Sequence, residues 1–482
     1  MSQANTSPKS HHESTVIKSA IRSRLLVLTL ILLWRTLLSP YDTSAPINPN
    51  CLSQPHVDQQ QQHLLLPALG SAIESSIVWD SVYYVRIAQC GYEYEQSYAF
   101  FPLLPLCISL LSRTVLAPLI PVIGTRAVLG LSGYVINNIG FVFAAVYLYR
   151  LSIIILKDHE AALRASILFC FNPASIFYSS IYSETLYALF SLGGLYHLMS
   201  GKNAIAVLWL ALSGFSRSNG MLNAGYFCFQ TMHQAYDAVF LRRRAFLAMQ
   251  VLVGGALRCI CIFIPFVAFQ AYGYYNICLG SFPDEMSPWC KARVPMLYNY
   301  IQNHYWGVGF LRYFQVKQLP NFLLASPILS LAFCSIVHYA KSNPENFFSL
   351  GFCAPTQDKN SASVFFTMNQ ENHNFKAKKK VIKENPALPP EESKLSANQG
   401  YLSVAALPCI FHLGFMAATA FFVMHVQVAT RFLSFSPPLY WFASYIMKSP
   451  GTRKRWGYVI WAYSAAYILL GSLLFSNFYP FT

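Results

Sequence analysis

From Leu25 almost to the C-terminus the chain is a succession of apolar runs separated by short polar breaks. The runs at 128–149, 246–271, 320–339, 401–424, 429–447 and 456–475 approach or exceed the roughly 20 helical residues that cross a hydrocarbon core. Shorter runs fill 25–38, 165–171, 184–201, 204–215 and 221–239. None alternates with period two, which argues against a transmembrane barrel. Backbone groups in lipid must be satisfied internally, so the runs are predicted to be helices. The pattern predicts an all-α polytopic membrane protein with about eleven transmembrane helices.

Two stretches break this rhythm. Segment 99–119 is apolar but carries Pro102, Pro105, Pro118 and Arg113, and it reads as a re-entrant or juxtamembrane segment that does not cross. The run 204–215 is only about 18 Å long as a helix, against a core of about 30 Å. The turn Ser216-Arg217-Ser218-Asn219-Gly220 after it is therefore expected within membrane depth. Non-helical backbone is tolerated there only inside protein or against a water-filled cavity, so this turn is a candidate site wall.

Charge orients the pattern. Charged residues are 11% of the chain and hydrophobic residues 55%, with mean hydropathy +0.38. A net charge of +15 would suggest nucleic acid in a soluble protein, but here the cations cluster in short loops, as the positive-inside rule requires. Lys202, Arg242-Arg243-Arg244, Lys376–Lys383 and Arg453-Lys454-Arg455 all fall on one side under one assignment. Residues 1–24 then form a disordered cytosolic tail and 25–482 the multi-span domain. Within it, 40–126 and 272–319 are luminal loops and 341–398 is a disordered cytosolic loop. The N-terminus is placed in the cytosol and the C-terminus in the lumen. The run 25–38 is read as a retained span rather than a cleaved signal, because no small-x-small site follows it. Cys278 and Cys290 share one loop and can pair if it faces an oxidising lumen.

With only 19 acidic residues in 482, each one near a span needs a reason. Asp80 follows Trp79 just after the first apolar run, and the topology gathers Asp80, Glu184, Arg217, His425 and Arg431 at the luminal face. An acid can take a proton from an attacking hydroxyl, and cations can balance a phosphate leaving group. The aromatics of 79–101, among them Trp79, Tyr83 and Tyr94, and those of 305–310 suit stacking on sugar rings or covering a lipid chain. Bland readings stand beside these. Asp80 can serve as a helix cap, and Arg217 and Arg431 as internal ion-pair partners of Asp80 or Glu184. Glu184 can be a helix N-terminal charge, His425 a loop histidine, and Glu93 and Glu95 parts of a solvated face.

Five blocks carry a resemblance. They are Trp79-Asp80-Ser81-Val82-Tyr83-Tyr84; Gly91 to Gln96 with Ala99-Phe100-Phe101-Pro102; Asn172-Pro173-Ala174-Ser175-Ile176-Phe177 with Tyr182-Ser183-Glu184; Ser216 to Gly220; and Thr430-Arg431-Phe432-Leu433-Ser434 through Trp441. In order and content they resemble the GPI mannosyltransferase 2 family, the phosphatidylinositol-glycan class V enzymes of the endoplasmic reticulum membrane. The resemblance implies a GT-C type glycosyltransferase fold. It implies lipid substrates, dolichyl-phosphate mannose and the GPI precursor, with the second, α1,6-linked mannose added by an inverting single displacement in the lumen. It implies Asp80 as general base, and a donor and acceptor site drawn from Trp79, Tyr83, Glu93, Tyr94, Glu95, Glu184, Arg217, Asn219, His425 and Arg431. No cofactor or metal is expected, since the donor is a monophosphate and no acid pair of the DxD kind is present; a small membrane subunit is a candidate partner. The readings left open are another dolichyl-phosphate-sugar transferase of the same fold, a lipid transporter, and a noncatalytic subunit. The transporter reading is disfavoured because no internal repeat is found.

Overall fold

The structure is a computed structural model that describes residues 8–41, 51–52, 64–279, 286–367, 400–448, 452–479 and 481. Every described secondary-structure element is helical. Among the described residues, five helices are long and apolar enough to cross a membrane: Thr125–Leu156, Ala245–Cys278, Val316–Ser342, Val404–Phe422 and Arg455–Ser476. The apolar pair Leu103–Arg113 and Ala117–Ile123 bends by 68° at its break. Pro118 accounts for the break, since it removes the backbone donor that would bond to residue 114 in a continuous helix.

The first helix, α1 (Pro8–Leu37), corrects the expectation of a disordered tail through residue 24. Val16, Ala20, Val27 and Ile31 lie on one buried face of it, so the polar residues before Leu25 belong to the same packed helix as the apolar run. Arg24 shares that face and is buried rather than part of a cytosolic flank. It donates to the Ser175 carbonyl at 2.9 Å, the Cys170 carbonyl at 3.2 Å and the Ser179 hydroxyl at 3.0 Å, with its guanidinium 3.8 Å over the Phe141 ring. A helix end with free carbonyls receives the cation, which is the favourable pole of the helix dipole.

The helices that position the site follow in order. They are α2 (Asp80–Cys90), α3 (Leu103–Arg113), α4 (Thr125–Leu156), α5 (His159–Cys170), α6 (Glu184–Met199) and α7 (Asn203–Ser216). After them come α8 (Ala224–Tyr236), α9 (Ala245–Cys278), α10 (Leu297–His304), α11 (Leu319–Ser342), α12 (Leu407–Phe422), α13 (Ala429–Leu433), α14 (Pro437–Lys448) and α15 (Thr452–Ser476). The centre is α6, packed between α4 and α7, while α1 lies against α4, α5 and α15. Asp158 starts α5 by accepting from the Glu160 and Ala161 amides at 2.9 and 3.0 Å.

Two expected spans are interrupted, and one expected loop is partly ordered. The run 429–447 divides into α13 and α14 because Pro437 and Pro438 cannot donate to a continuous ladder. The run from 221 begins in the 3₁₀ turn Ser218–Asn223 before α8 forms. The loop expected to be disordered from 341 is ordered through Thr367, in the short helices Pro344–Phe348, Thr356–Ser361 and Ser363–Phe366. Phe365 and Phe366 hold it there by burial against the bundle. The remainder of that loop, with the lysine run 376–383, lies outside the described residues, as do parts of 41–75.

The bundle has two polar ends. At one end Glu13 pairs with Arg150 at 2.6 Å and Lys448 with Asp158 at 3.1 Å. At the other, Arg35 donates to the Ser476 carbonyl and the Tyr41 amide to Asn477. Cys278 and Cys290 form a disulfide, as their spacing allowed. A second, Cys51–Cys90, ties the first loop to the end of α2 and was not anticipated.

Candidate active site

Asp80 opens α2, and the residue before it carries the strain. Trp79 has φ 54° and ψ −134°, a region non-glycine residues rarely adopt. It is held there by its indole N–H, which donates to the Phe475 carbonyl at 3.2 Å, and by its ring against Phe478. Such a conformation costs on the order of 1–3 kcal/mol and persists only where surrounding contacts fix it. The Asp80 amide donates to the Tyr182 hydroxyl at 3.1 Å. The Asp80 carboxylate makes no helix-capping bond. Its Oδ2 instead accepts from Arg431 Nη1 at 3.2 Å.

From Arg431 the ionic contacts continue inward. Arg431 Nε lies 3.9 Å from Glu184 Oε1, and the same oxygen accepts from Arg217 Nη1 at 2.6 Å. Asp80, Arg431, Glu184 and Arg217 therefore form one chain of alternating charge. Each is placed by a helix end. Asp80 and Glu184 start α2 and α6, where the dipole favours anions, and Arg217 follows the last residue of α7, where it favours cations. Arg431 lies in the short helix α13 freed by the break before Pro437. Exposure decides their roles. The Glu184 side chain is 3% exposed and Asp80 37%, so Glu184 holds the arginines while Asp80 faces the open space.

That space is a cleft of about 190 Å³ lined by all four residues and by His425. Its roof is the segment after α9. Tyr298 accepts a bond from the Ser218 hydroxyl at 2.7 Å, and Gln302 and Trp306 line the cleft beside it. His425 Nε2 bonds the Trp306 carbonyl at 2.7 Å and its ring stacks on Tyr313, so the histidine ties the α12–α13 turn to this roof. The Gly220 backbone packs directly on α7: a Cβ there would meet the Ser213 carbonyl group at 2.3 Å. That close approach lets the Arg217 turn fold back on α7.

The other residues singled out in the sequence lie elsewhere. Glu93 does not line the cleft; it is ion-paired with Arg86 at 2.6 Å and accepts from the Leu52 amide at 2.6 Å, beside the Cys51–Cys90 disulfide. Glu95 is an anchor for the roof, accepting from the Trp289 indole at 2.6 Å, the Ser287 hydroxyl at 2.8 Å and the Tyr305 hydroxyl at 2.9 Å. Burial, reinforced by Glu95, pushes the Tyr305 hydroxyl up to about 12, so it stays a donor at neutral pH. Tyr83 stacks on Phe100, a cleft residue, and Tyr94 lies 6.0 Å from the Arg86 guanidinium. Asn219 is buried with both side-chain polar atoms unpartnered among the described residues. Tyr298 and Gln302 were missed. Their i,i+4 spacing on one helical face was a usable signal within a segment read as loop.

Among the described residues, the one cluster with metal-ligand proximity is Cys51, Cys90 and Glu93, and its two cysteines are bonded to each other.

The family model described as Mannosyltransferase (PIG-V) matches residues 12–482. The chain is similar to the GPI alpha-1,6-mannosyltransferase 2 of Homo sapiens, 29% identical over 462 residues that cover 92% of this chain and 85% of that protein. The Mus musculus protein of the same name is 29% identical over 457 residues, covering 90% and 84%. The GPI mannosyltransferase 2 of Drosophila pseudoobscura pseudoobscura is 28% identical over 513 residues, covering 97% and 99%.

Proposed function

The chain belongs to the PIG-V mannosyltransferase family, and from that premise we propose that it adds the second, α1,6-linked mannose to the GPI-anchor precursor. The donor in this reading is dolichyl-phosphate mannose, the compartment is the lumen of the endoplasmic reticulum, and the fold is of the GT-C type with about eleven spans. The single observation that carries the reading is the charge chain of Asp80, Arg431, Glu184 and Arg217 on one cleft wall.

The chemistry follows from exposure and contact. The acceptor hydroxyl attacks the anomeric carbon of the donor mannose. Its proton passes to the Asp80 carboxylate as the new C–O bond forms, and the bond from the sugar to the phosphate oxygen breaks with its electron pair leaving on dolichyl phosphate. The helix N-terminus and Arg431 orient the Asp80 carboxylate before the attack. Since Arg431 is committed to the base, Arg217 is the better ligand for the departing phosphate, with Glu184 fixing its position. One phosphate group is within the reach of an arginine fork, so the scheme requires no bridging metal. The two disulfides, at the Asp80 end and in the roof, support an oxidising lumen on that side. The same chemistry fits a partner subunit that brings the acceptor.

The test is product analysis. Membranes containing the chain are supplied with dolichyl-phosphate mannose and a GPI precursor bearing one mannose, and linkage is read by mass spectrometry with a 1,6-specific α-mannosidase. One added hexose in α1,6 linkage is expected. A different linkage, or transfer directly from a nucleotide sugar, overturns the reading.

A further inference from the structure

A second polar cavity lies at the opposite end of the bundle. Arg217 follows the C-terminus of α7 at the cleft. Asn203, which begins α7 about 20 Å away, lines this cavity of about 580 Å³. Its main wall is a single face of α9. Gln250, Gly254 and Arg258 follow one another at four-residue steps and all border the space. The facing wall is α8, which presents Gln230 and Gln234 at the same step.

This arrangement inverts what a membrane helix usually does. Elsewhere α9 is apolar and outward-facing, with Leu252, Leu257, Ile260 and Ile264 exposed. Arg258 interrupts that run. Among the described residues it has no hydrogen bond and no carboxylate, and its guanidinium sits 5.8 Å over the Phe227 ring. An ionised side chain within the hydrocarbon region costs several kcal/mol unless an anion or water meets it. The geometry gives its depth. Helix α9 has 34 residues, about 51 Å, and so exceeds the core by about 20 Å. If centred, it puts the Arg258 Cα about 10 Å inside the boundary, and its side chain leans toward the helix N-terminus and that boundary. A headgroup at the interface is therefore within reach.

Two further observations point to an occupant. Gln230 is buried and donates to the Val364 carbonyl at 2.9 Å, which leaves its Oε1 without a partner. The mouth of the cavity lies beside Arg242-Arg243-Arg244, and Arg242 lines it while also paired with Asp237 at 2.9 Å. The site thus offers a cation at depth, a basic rim, and an unmet acceptor for a hydroxyl.

We propose that this cavity binds the headgroup of an anionic phospholipid, its phosphate on Arg258 and a headgroup hydroxyl on Gln230. The apolar face of α9 beyond Gly254 carries the acyl chains. The site is separate from the transferase cleft and does not depend on the reaction assigned there.

The probe is phosphatidylinositol against phosphatidylcholine. The full chain is purified from mixed micelles holding the two in equal amounts, and retained lipid is counted by native mass spectrometry. A photoreactive phosphatidylinositol maps the contact. Wild type is expected to retain phosphatidylinositol about tenfold over phosphatidylcholine, because choline cancels the phosphate charge that Arg258 meets and brings no hydroxyl to Gln230, with adducts on α8 and α9. Arg258→Gln is expected to abolish that preference. Gly254→Leu projects into the cavity from a position where an added Cβ meets no heavy atom within 4 Å, and it is expected to do the same in a protein that still folds. Millimolar inorganic phosphate is expected to leave the lipid in place. Displacement by phosphate alone would make the ligand a free anion and overturn the lipid assignment. Equal retention of the two lipids, or a preference unchanged in both variants, would overturn the site itself.

Discussion

Asp80 and Glu184 are both carboxylates at helix starts, yet they sit in different surroundings. Asp80 is open to the cleft and shares one arginine; Glu184 is enclosed and shares two. Glu184→Gln keeps the shape and removes the charge that holds both guanidinium groups. It is expected to lower stability by about 2 kcal/mol, read by thermal unfolding in detergent, and to raise the donor KM more than it lowers kcat. An unchanged KM would remove Glu184 from donor positioning. The five ionisable residues of the cleft were legible in the sequence because acids are scarce and the turns carrying them had to sit on one side. The roles of Glu93 and Glu95 were not legible. Their partners Arg86, Trp289 and Tyr305 include residues nearly two hundred positions away, and no local pattern encodes such pairing.

Helix breaks build the site. The ends of α7 and α13 and the starts of α2 and α6 each deliver one charged residue to the cleft. The short run 204–215 announced the first of these, because a helix of that length cannot cross a bilayer. The second was hidden: 429–447 looked like a continuous span until Pro437 and Pro438 divided it. The first helix was also misjudged, since a polar start and an arginine resemble a flank unless the burial of Val16, Ala20 and Arg24 on one face is known. Gly220→Ala tests the α7 turn. With backbone atoms 2.3 Å from the new Cβ, the turn must move. A stability loss of about 1–3 kcal/mol is expected, together with loss of most transferase activity as Arg217 is displaced. Full activity with normal thermal stability would show that the turn is not rigidly placed.

Over the whole molecule, one end of the bundle collects Asp80, both disulfides and the roof after α9, and the other collects Arg150, Lys157, Lys202 and the Arg242 triplet. The positive-inside rule would put the second end in the cytosol, whatever the exact number of spans. Asn-x-Ser/Thr acceptor tags at the fully exposed Val316 and at Lys359 test it. Glycan addition is expected at the first and not at the second. The reverse result would put the cleft in the cytosol, away from a luminal donor.

The central claim is that Asp80 is the base of a mannosyl transfer carried out in this cleft. Its most direct measurement is the single-turnover rate of transfer from dolichyl-phosphate mannose by Asp80→Asn, with donor binding and thermal stability recorded on the same preparation. Loss of the base is expected to slow the step by about 10²–10⁴-fold, with donor bound and the protein folded. A rate within a few fold of wild type would contradict the assignment.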